Sequence, residues 1–187
     1  MKHNINLEIV CAGIGGRGVL LASTILMETA INAGCNAIAS DEYGMSQRGG
    51  SVISLIKVGD FASPLIGREN ADILLAFEES EFYKTLFYLR SGGTAIINTE
   101  KKLLPESIQH LLKTRNIRHF LIDADGIAKE NKMIQSANMA ILGFFSTLSF
   151  DPYTPESIKK TITKKVPAKL LEKNRQVFQE GLKSLSQ

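Results

Sequence analysis

Six short stretches of the chain, residues 7–12, 36–40, 51–58, 72–77, 94–98 and 120–123, are aliphatic or β-branched, and several run apolar without a polar break. Unbroken runs of that length suit strands covered on both faces, as in a mostly parallel sheet. Segments of helical period lie between them. Residues 19–33 set Val19, Leu20, Ala22, Ser23, Leu26, Met27 and Ala30 on one face. Residues 79–89 and 105–114 follow, the latter with Pro105 in its first turn. Strand and helix therefore alternate, which predicts an α/β domain wound on both sides of one sheet.

Past Asp123 the pattern turns helical. Residues 137–148 are apolar almost all round and predict a buried helix. Thr154-Pro155-Glu156 is a helix start: a capping hydroxyl, a proline at the first helical position and an acid beside it. A last helix over 168–185 puts Leu170, Leu171, Asn174, Val177, Phe178, Gly181, Leu182 and Leu185 on one stripe, with Lys169, Lys173, Arg175 and Lys183 opposite as a solvated face. No linker divides the chain, and 187 residues can bury a full core, so residues 1–187 read as a single domain.

Composition narrows the function classes. The net charge is +3, and the excess sits after residue 150, where eight basic residues face four acidic ones. That balance argues against nucleic acid as a partner, and no apolar run reaches the length of a membrane span. The N-terminal Met1-Lys2-His3-Asn4 lacks an apolar signal core, so a cytoplasmic location is expected. Two cysteines, Cys11 and Cys35, and three scattered histidines exclude a four-cysteine iron–sulfur cluster or a zinc ribbon built by this chain alone, and no metal-ligating set is expected. Cys11 lies in an apolar run and reads as core. Cys35 follows Gly34 at a helix end.

Eight of the fifteen glycines fall in the first 50 residues. Gly13-Ile14-Gly15-Gly16-Arg17-Gly18 follows a strand and opens a helix, the context of a dinucleotide-type turn. Glycine lets backbone approach a phosphate closely, and the helix start supplies unpaired N–H groups. Arg17 would add a charged fork to such an anion site. Asp41 and Glu42 then stand where a nucleotide enzyme places its ribose-binding acid. The alternative is a turn that serves close packing or an interface. The second glycine segment, Tyr43-Gly44-Met45-Ser46-Gln47-Arg48-Gly49-Gly50-Ser51, leaves the second strand near the first turn. Arg48 with Gly49-Gly50 would form a concave nest for a carboxylate or phosphate; equally, Tyr43, Met45 and Arg48 would anchor a subunit contact. The fold expected from these placements is a Rossmann-like doubly wound, mostly parallel sheet with helices on both faces and extra C-terminal helices.

The two segments, in this order and separation, resemble the gamma-type chain of the 2-oxoacid:ferredoxin oxidoreductases. That family shows a GxGGQG turn running into a Val-Leu-Leu-Ala helix, here Gly13 to Ala22, and Met45-Ser46-Gln47-Arg48-Gly49-Gly50-Ser51 is most similar to the small (beta) subunit of its indolepyruvate branch. Ser63-Pro64-Leu65-Ile66, Asn138-Met139-Ala140-Ile141-Leu142-Gly143 and the Asn174, Phe178, Gly181 spacing extend the likeness along the chain. Arg17 departs from it, since the family usually carries glutamine there; an amide donates and accepts, whereas a guanidinium only donates.

The resemblance implies a component rather than a complete enzyme. It implies oxidative decarboxylation of an indolepyruvate- or pyruvate-like 2-oxoacid with thiamine diphosphate, acyl-CoA formation and electron transfer to ferredoxin. No GDG with paired asparagines is present, so thiamine diphosphate, Mg and iron–sulfur clusters are expected on large partner subunits, with none bound by this chain alone. Coenzyme A is a candidate co-substrate, and the isolated chain is open to homodimerisation. No catalytic residue is assigned. The residues expected to face substrate, cofactor or partner are Gly13, Gly15, Gly16, Arg17, Gly18, Tyr43, Gly44, Met45, Gln47, Arg48, Gly49 and Gly50. The competing readings are a stand-alone dinucleotide-binding module or NAD-dependent enzyme, and a non-catalytic scaffold derived from the family.

Overall fold

The structure is a computed structural model in which residues 5–43 and 49–184 are described. Six strands form one sheet in the order β2-β3-β1-β4-β5-β6. They are β1 (Leu7–Ile14), β2 (Ala37–Tyr43), β3 (Ser51–Val58), β4 (Ala71–Ala76), β5 (Leu89–Asn98) and β6 (Arg118–Ile122). β1, β4, β5 and β6 run parallel, and β3 lies antiparallel between β1 and β2.

Continuous apolar runs are needed because both sheet faces are dry. Along β1, Ile9 and Cys11 point into one core while Val10 and Ala12 point into the other. β4 divides in the same way, Ile73 and Leu75 against Leu74 and Ala76. One face is covered by α1 (Val19–Asn32), α5 (Ala137–Ser146), α6 (Pro155–Lys165) and α7 (Ala168–Lys183), through Ile25, Leu142, Ile158 and Phe178. The other is covered by α2 (Glu79–Thr85) and α3 (Glu106–Thr114), through Phe82 and Leu112. Burying each large side chain of this kind is worth about 1.5–3 kcal/mol.

Helix starts follow their local signals. Thr154 accepts from the Ser157 N–H at 3.2 Å ahead of Pro155. Asp123 caps α4 (Ala124–Glu130) by accepting from the Gly126 N–H at 2.7 Å. α5 is buried along its whole length, as its composition requires. It crosses α7 at close range. A Cβ on Gly143 would strike the Phe178 carbonyl oxygen, and one on Gly181 would strike the Ala140 backbone. The two helices therefore pack backbone to backbone, which explains both glycines.

Several boundaries differ from the sequence reading. The expected helix over 79–89 ends at Thr85; Leu86–Tyr88 tighten into a 3₁₀ turn and Leu89 already begins β5. On α1 the buried face takes in Ile25 and Thr29, whereas Leu20 and Met27 are only half-buried. On α7, Leu170 is exposed and the buried stripe starts at Asn174. Leu185 lies outside the described residues. No helix among the described residues is long and apolar enough to cross a membrane.

Candidate functional site: the carboxyl edge of the sheet

The glycine turn closes where β1 leaves the sheet. The Arg17 N–H donates to the Ile14 carbonyl at 3.1 Å, and Gly18 caps α1 with a φ of 74°. Gly16 also has a positive φ, 94°, which favours glycine. Gly13 has another purpose: a Cβ there would meet Val19 and Phe77 at 2.6 and 2.8 Å. At Gly18 a Cβ would collide with Asn138, whose amide donates to the Gly18 carbonyl at 3.1 Å. The first turn of α1 carries no acid and no side-chain cap. Its N–H groups therefore keep the partial positive charge of a helix start.

The second glycine segment arrives at the same edge through strand pairing. Tyr43 stands opposite Val52, and Val52 stands opposite Gly13. The Gly15 N–H then donates to the Gly50 carbonyl at 2.9 Å, which carries the ladder past the end of the sheet. Gly49 is exposed, with a φ of 80°. The structure thus brings together Gly13, Gly15, Gly16, Arg17, Gly18, Gly49 and Gly50. Gly44, Met45, Gln47 and Arg48, and the Tyr43 side chain, lie outside the described residues.

Arg17 does not stand free as a fork for an external anion. Its Nη2 lies 2.5 Å from both Asp125 carboxylate oxygens, and its Nε lies 2.5 Å from Glu78 Oε1. The Nε contact is one of charge, since that N–H is not aimed at the oxygen. Asn98 completes the cluster: its amide nitrogen donates to Asp125 at 2.9 Å and to the Phe77 carbonyl at 3.0 Å, while its oxygen accepts from the Ala124 N–H at 3.0 Å. Glu78 follows β4, Asn98 ends β5 and Asp125 follows β6. One polar cluster therefore ties together the carboxyl ends of all four parallel strands. Burial opposes the charge on Arg17, yet Asp125 and Glu78 outweigh it and hold the guanidinium above its ordinary value. Burial pushes the Glu78 carboxyl up; Arg17 works against the rise and the nearby Asp125 adds to it.

Beside the cluster lies a cleft of about 370 Å³ lined by Glu78, Glu79, Asn98, Thr99, Lys101 and Asp123, among others. Glu79 accepts from Tyr83 at 2.6 Å, Thr99 at 2.6 Å and Lys101 at 2.7 Å. Burial works against the Glu79 carboxylate, but these three donors hold it down at about 2. Burial, with Glu79 adding, pushes the Tyr83 hydroxyl up to about 12. Sequence reasoning missed Glu78, Glu79, Asn98 and Asp125 as site residues. Their one local signal is position, each at or just past the end of a parallel strand, where ligands of open α/β sheets gather.

The dinucleotide reading requires an acid at the end of the strand next to β1. Here β3 intervenes, antiparallel, and Asp41 lies within β2, where it accepts from the Ser54 hydroxyl at 2.5 Å. The nearby acid is thus taken up by strand pairing. Cys11 is fully buried, and burial, with Asp41 adding, pushes its thiol far up, which leaves it inert as a nucleophile.

Comparison with known proteins gives the family and the fold. The family model described as pyruvate ferredoxin/flavodoxin oxidoreductase matches residues 8–184. The chain is 30% identical to indolepyruvate oxidoreductase subunit IorB of Thermococcus kodakarensis, with 95% of each chain covered. It is also 30% identical to 2-oxoglutarate synthase subunit KorC of Methanothermobacter marburgensis, over 93% of this chain and 94% of that one. Among solved structures, the gamma subunit of a keto/oxoacid ferredoxin oxidoreductase from Geobacter sulfurreducens superposes with a TM-score of 0.75 at 27% identity, covering 97% of this chain and 99% of that one. Matched almost end to end by a family model and by small subunits of its members, the chain belongs to the pyruvate ferredoxin/flavodoxin oxidoreductase family.

Proposed function

We infer that this chain is a non-autonomous, gamma-type subunit of a 2-oxoacid:ferredoxin oxidoreductase. The observation that carries the reading is coverage: the chain matches, over nearly its full length and theirs, proteins that are themselves named as subunits. In the complex, thiamine diphosphate and Mg would be held by a large partner subunit and would supply the carbanion chemistry for decarboxylating the 2-oxoacid. Iron–sulfur clusters on partner subunits would supply the electron path to ferredoxin, and coenzyme A would be the acyl acceptor.

This chain contributes no catalytic side chain to those steps. Its part is to present a stiff carboxyl edge, residues 1–187 acting as one domain. Arg17, Asn98, Glu78 and Asp125 hold the turns after β1, β4, β5 and β6 in a fixed relation. The Gly15–Gly50 hydrogen bond keeps the two glycine segments adjacent. Gly16 and Gly49 leave backbone open beside the α1 start, an arrangement suited to a phosphate or carboxylate of substrate or coenzyme A, with Arg48, Gln47, Tyr43, Met45 and Gly44 as the neighbouring contact segment. The likeness to the indolepyruvate branch favours an aryl or branched 2-oxoacid.

Coexpression with a thiamine- and cluster-bearing large subunit tests the reading. The complex is expected to reduce a viologen dye only with thiamine diphosphate, a 2-oxoacid and coenzyme A all present, while the isolated chain turns nothing over. Failure of the two chains to associate, or micromolar NAD binding by the isolated chain, refutes it.

A further inference from the structure

Next to the glycine turn, the first turn of α1, the 3₁₀ turn Ile134–Ser136 and the start of α7 enclose a groove of about 440 Å³. Its walls are mainly apolar, and three of its side chains stand in water: Ile134 is 66% exposed, Leu170 38% and Leu21 36%. Large apolar groups left around one depression mark a contact surface, because covering them returns about 25 cal/mol per Å².

Two amides in the groove are committed already. The Asn138 amide donates to Gly18 and the Asn174 amide to the Leu170 carbonyl at 2.8 Å. No carboxylate lines the groove, and Lys132 is its one charged lining residue among the described residues. Exposed Lys169 and Lys173 flank Leu170 and Asn174 on α7, where the carboxylate of Glu172 faces Arg175 at 3.8 Å. The rim is therefore basic over an apolar floor, in contrast to the acidic cleft at Glu78, Glu79 and Asp123.

The geometry points to this groove as the seat of one segment of the large partner subunit, a segment that combines aliphatic side chains with acidic ones. The inference rests on the subunit reading above and adds the surface and the chemistry of the partner. The volume admits a few side chains rather than a whole helix face. The aliphatic groups of such a segment would cover Ile134, Leu170 and Leu21, and its carboxylates would meet Lys132, Lys169 and Lys173. The basic excess of the C-terminal part of the chain thereby acquires a role in steering and register.

The test uses the full chain and the purified large subunit. Ile134→Asp and Leu170→Asp are expected to weaken association at least tenfold. Leu65→Asp and Leu103→Asp, at exposed apolar positions outside the groove, are expected to leave it within twofold. Lys132→Glu and Lys173→Glu should weaken it severalfold, with the effect shrinking as salt rises. Circular dichroism checks that each variant folds, and hydrogen exchange on the unmodified chain should show protection of residues 132–136 and 166–171 on assembly. The inference is overturned if groove and control variants behave alike, or if those segments gain no protection. It is equally overturned if the groove variants change only self-association, or only the KM for coenzyme A with assembly intact. Failure of the unmodified chain to bind the large subunit overturns the subunit reading itself, which separates the two.

Discussion

Replacing Arg17 by glutamine would take the positive charge out of a cluster of two carboxylates. Removing one member of a fully buried ion pair costs about 3–5 kcal/mol, and of an exposed pair about 0–1 kcal/mol. The side chains of Arg17, Glu78 and Asp125 are 27%, 26% and 45% exposed, between those limits. Solvent screening at Asp125 discounts its share, so the expected loss is about 1–2 kcal/mol. For a chain of this length that is a fall in Tm of about 3–6 °C. The pH dependence follows from Glu78, whose carboxyl is already raised by burial and which Arg17 holds back from rising further. A raised carboxyl gives stability that is complete below its unfolded value and lost as pH climbs through the folded one. Without Arg17 that loss deepens. The deficit of Arg17→Gln should therefore be largest at pH 7 and close as pH falls to about 4. Thermal melts of Arg17→Gln, Asp125→Asn and the double variant, at both pH values, measure it. The single losses should fail to add by about 1 kcal/mol. A variant that melts with the unmodified chain at pH 7, a deficit indifferent to pH, or full additivity would refute the clamp.

Two further perturbations check separate parts of the structure. Gly181→Ala should gain about 0.5–1 kcal/mol of helix propensity but lose about 1–3 kcal/mol to overpacking against the Ala140 backbone, so Tm should fall, and a rise would contradict the close α5–α7 crossing. Glu79, held at about 2, supplies stability present above its unfolded value and lost as pH drops through about 2. Glu79→Gln should flatten that acid limb in pH-dependent melts and bring the Tyr83 ionisation, followed by ultraviolet titration, down from about 12.

Much of the fold is legible wherever chemistry is local. β3 spans the 51–58 run without adjustment, and Thr154-Pro155 and Asp123 start helices by capping that any reading of the sequence can recognise. The register that places Gly15 against Gly50 is less local, yet the two glycine segments declare themselves by composition. Boundaries fail where apolar pattern misleads. Leu86, Phe87 and Tyr88 continue a helical stripe, but the chain must turn there to lay β5 beside β4. Within β5, Arg90-Ser91-Gly92 carry no strand signal because that stretch is exposed. The clamp is illegible for a stronger reason. Arg17 and Asp125 are 108 residues apart, and nothing in either neighbourhood marks them as partners until strand order brings the turns after β1 and β6 to one edge.

The ladder between β1 and β3 also bears on how such a chain changes over generations. Tyr43 is fixed by pairing with Val52, and Gly50 is fixed by its hydrogen bond to Gly15, so both ends of the intervening segment are anchored independently of what lies between. Strand register at this edge is therefore set by backbone pairing. One residue gained or lost within β3 would turn Ile56 and Val58 toward the opposite face. The β1–β3 ladder therefore acts as a gauge: substitutions that leave its register alone can change what the glycine edge contacts without disturbing the fold.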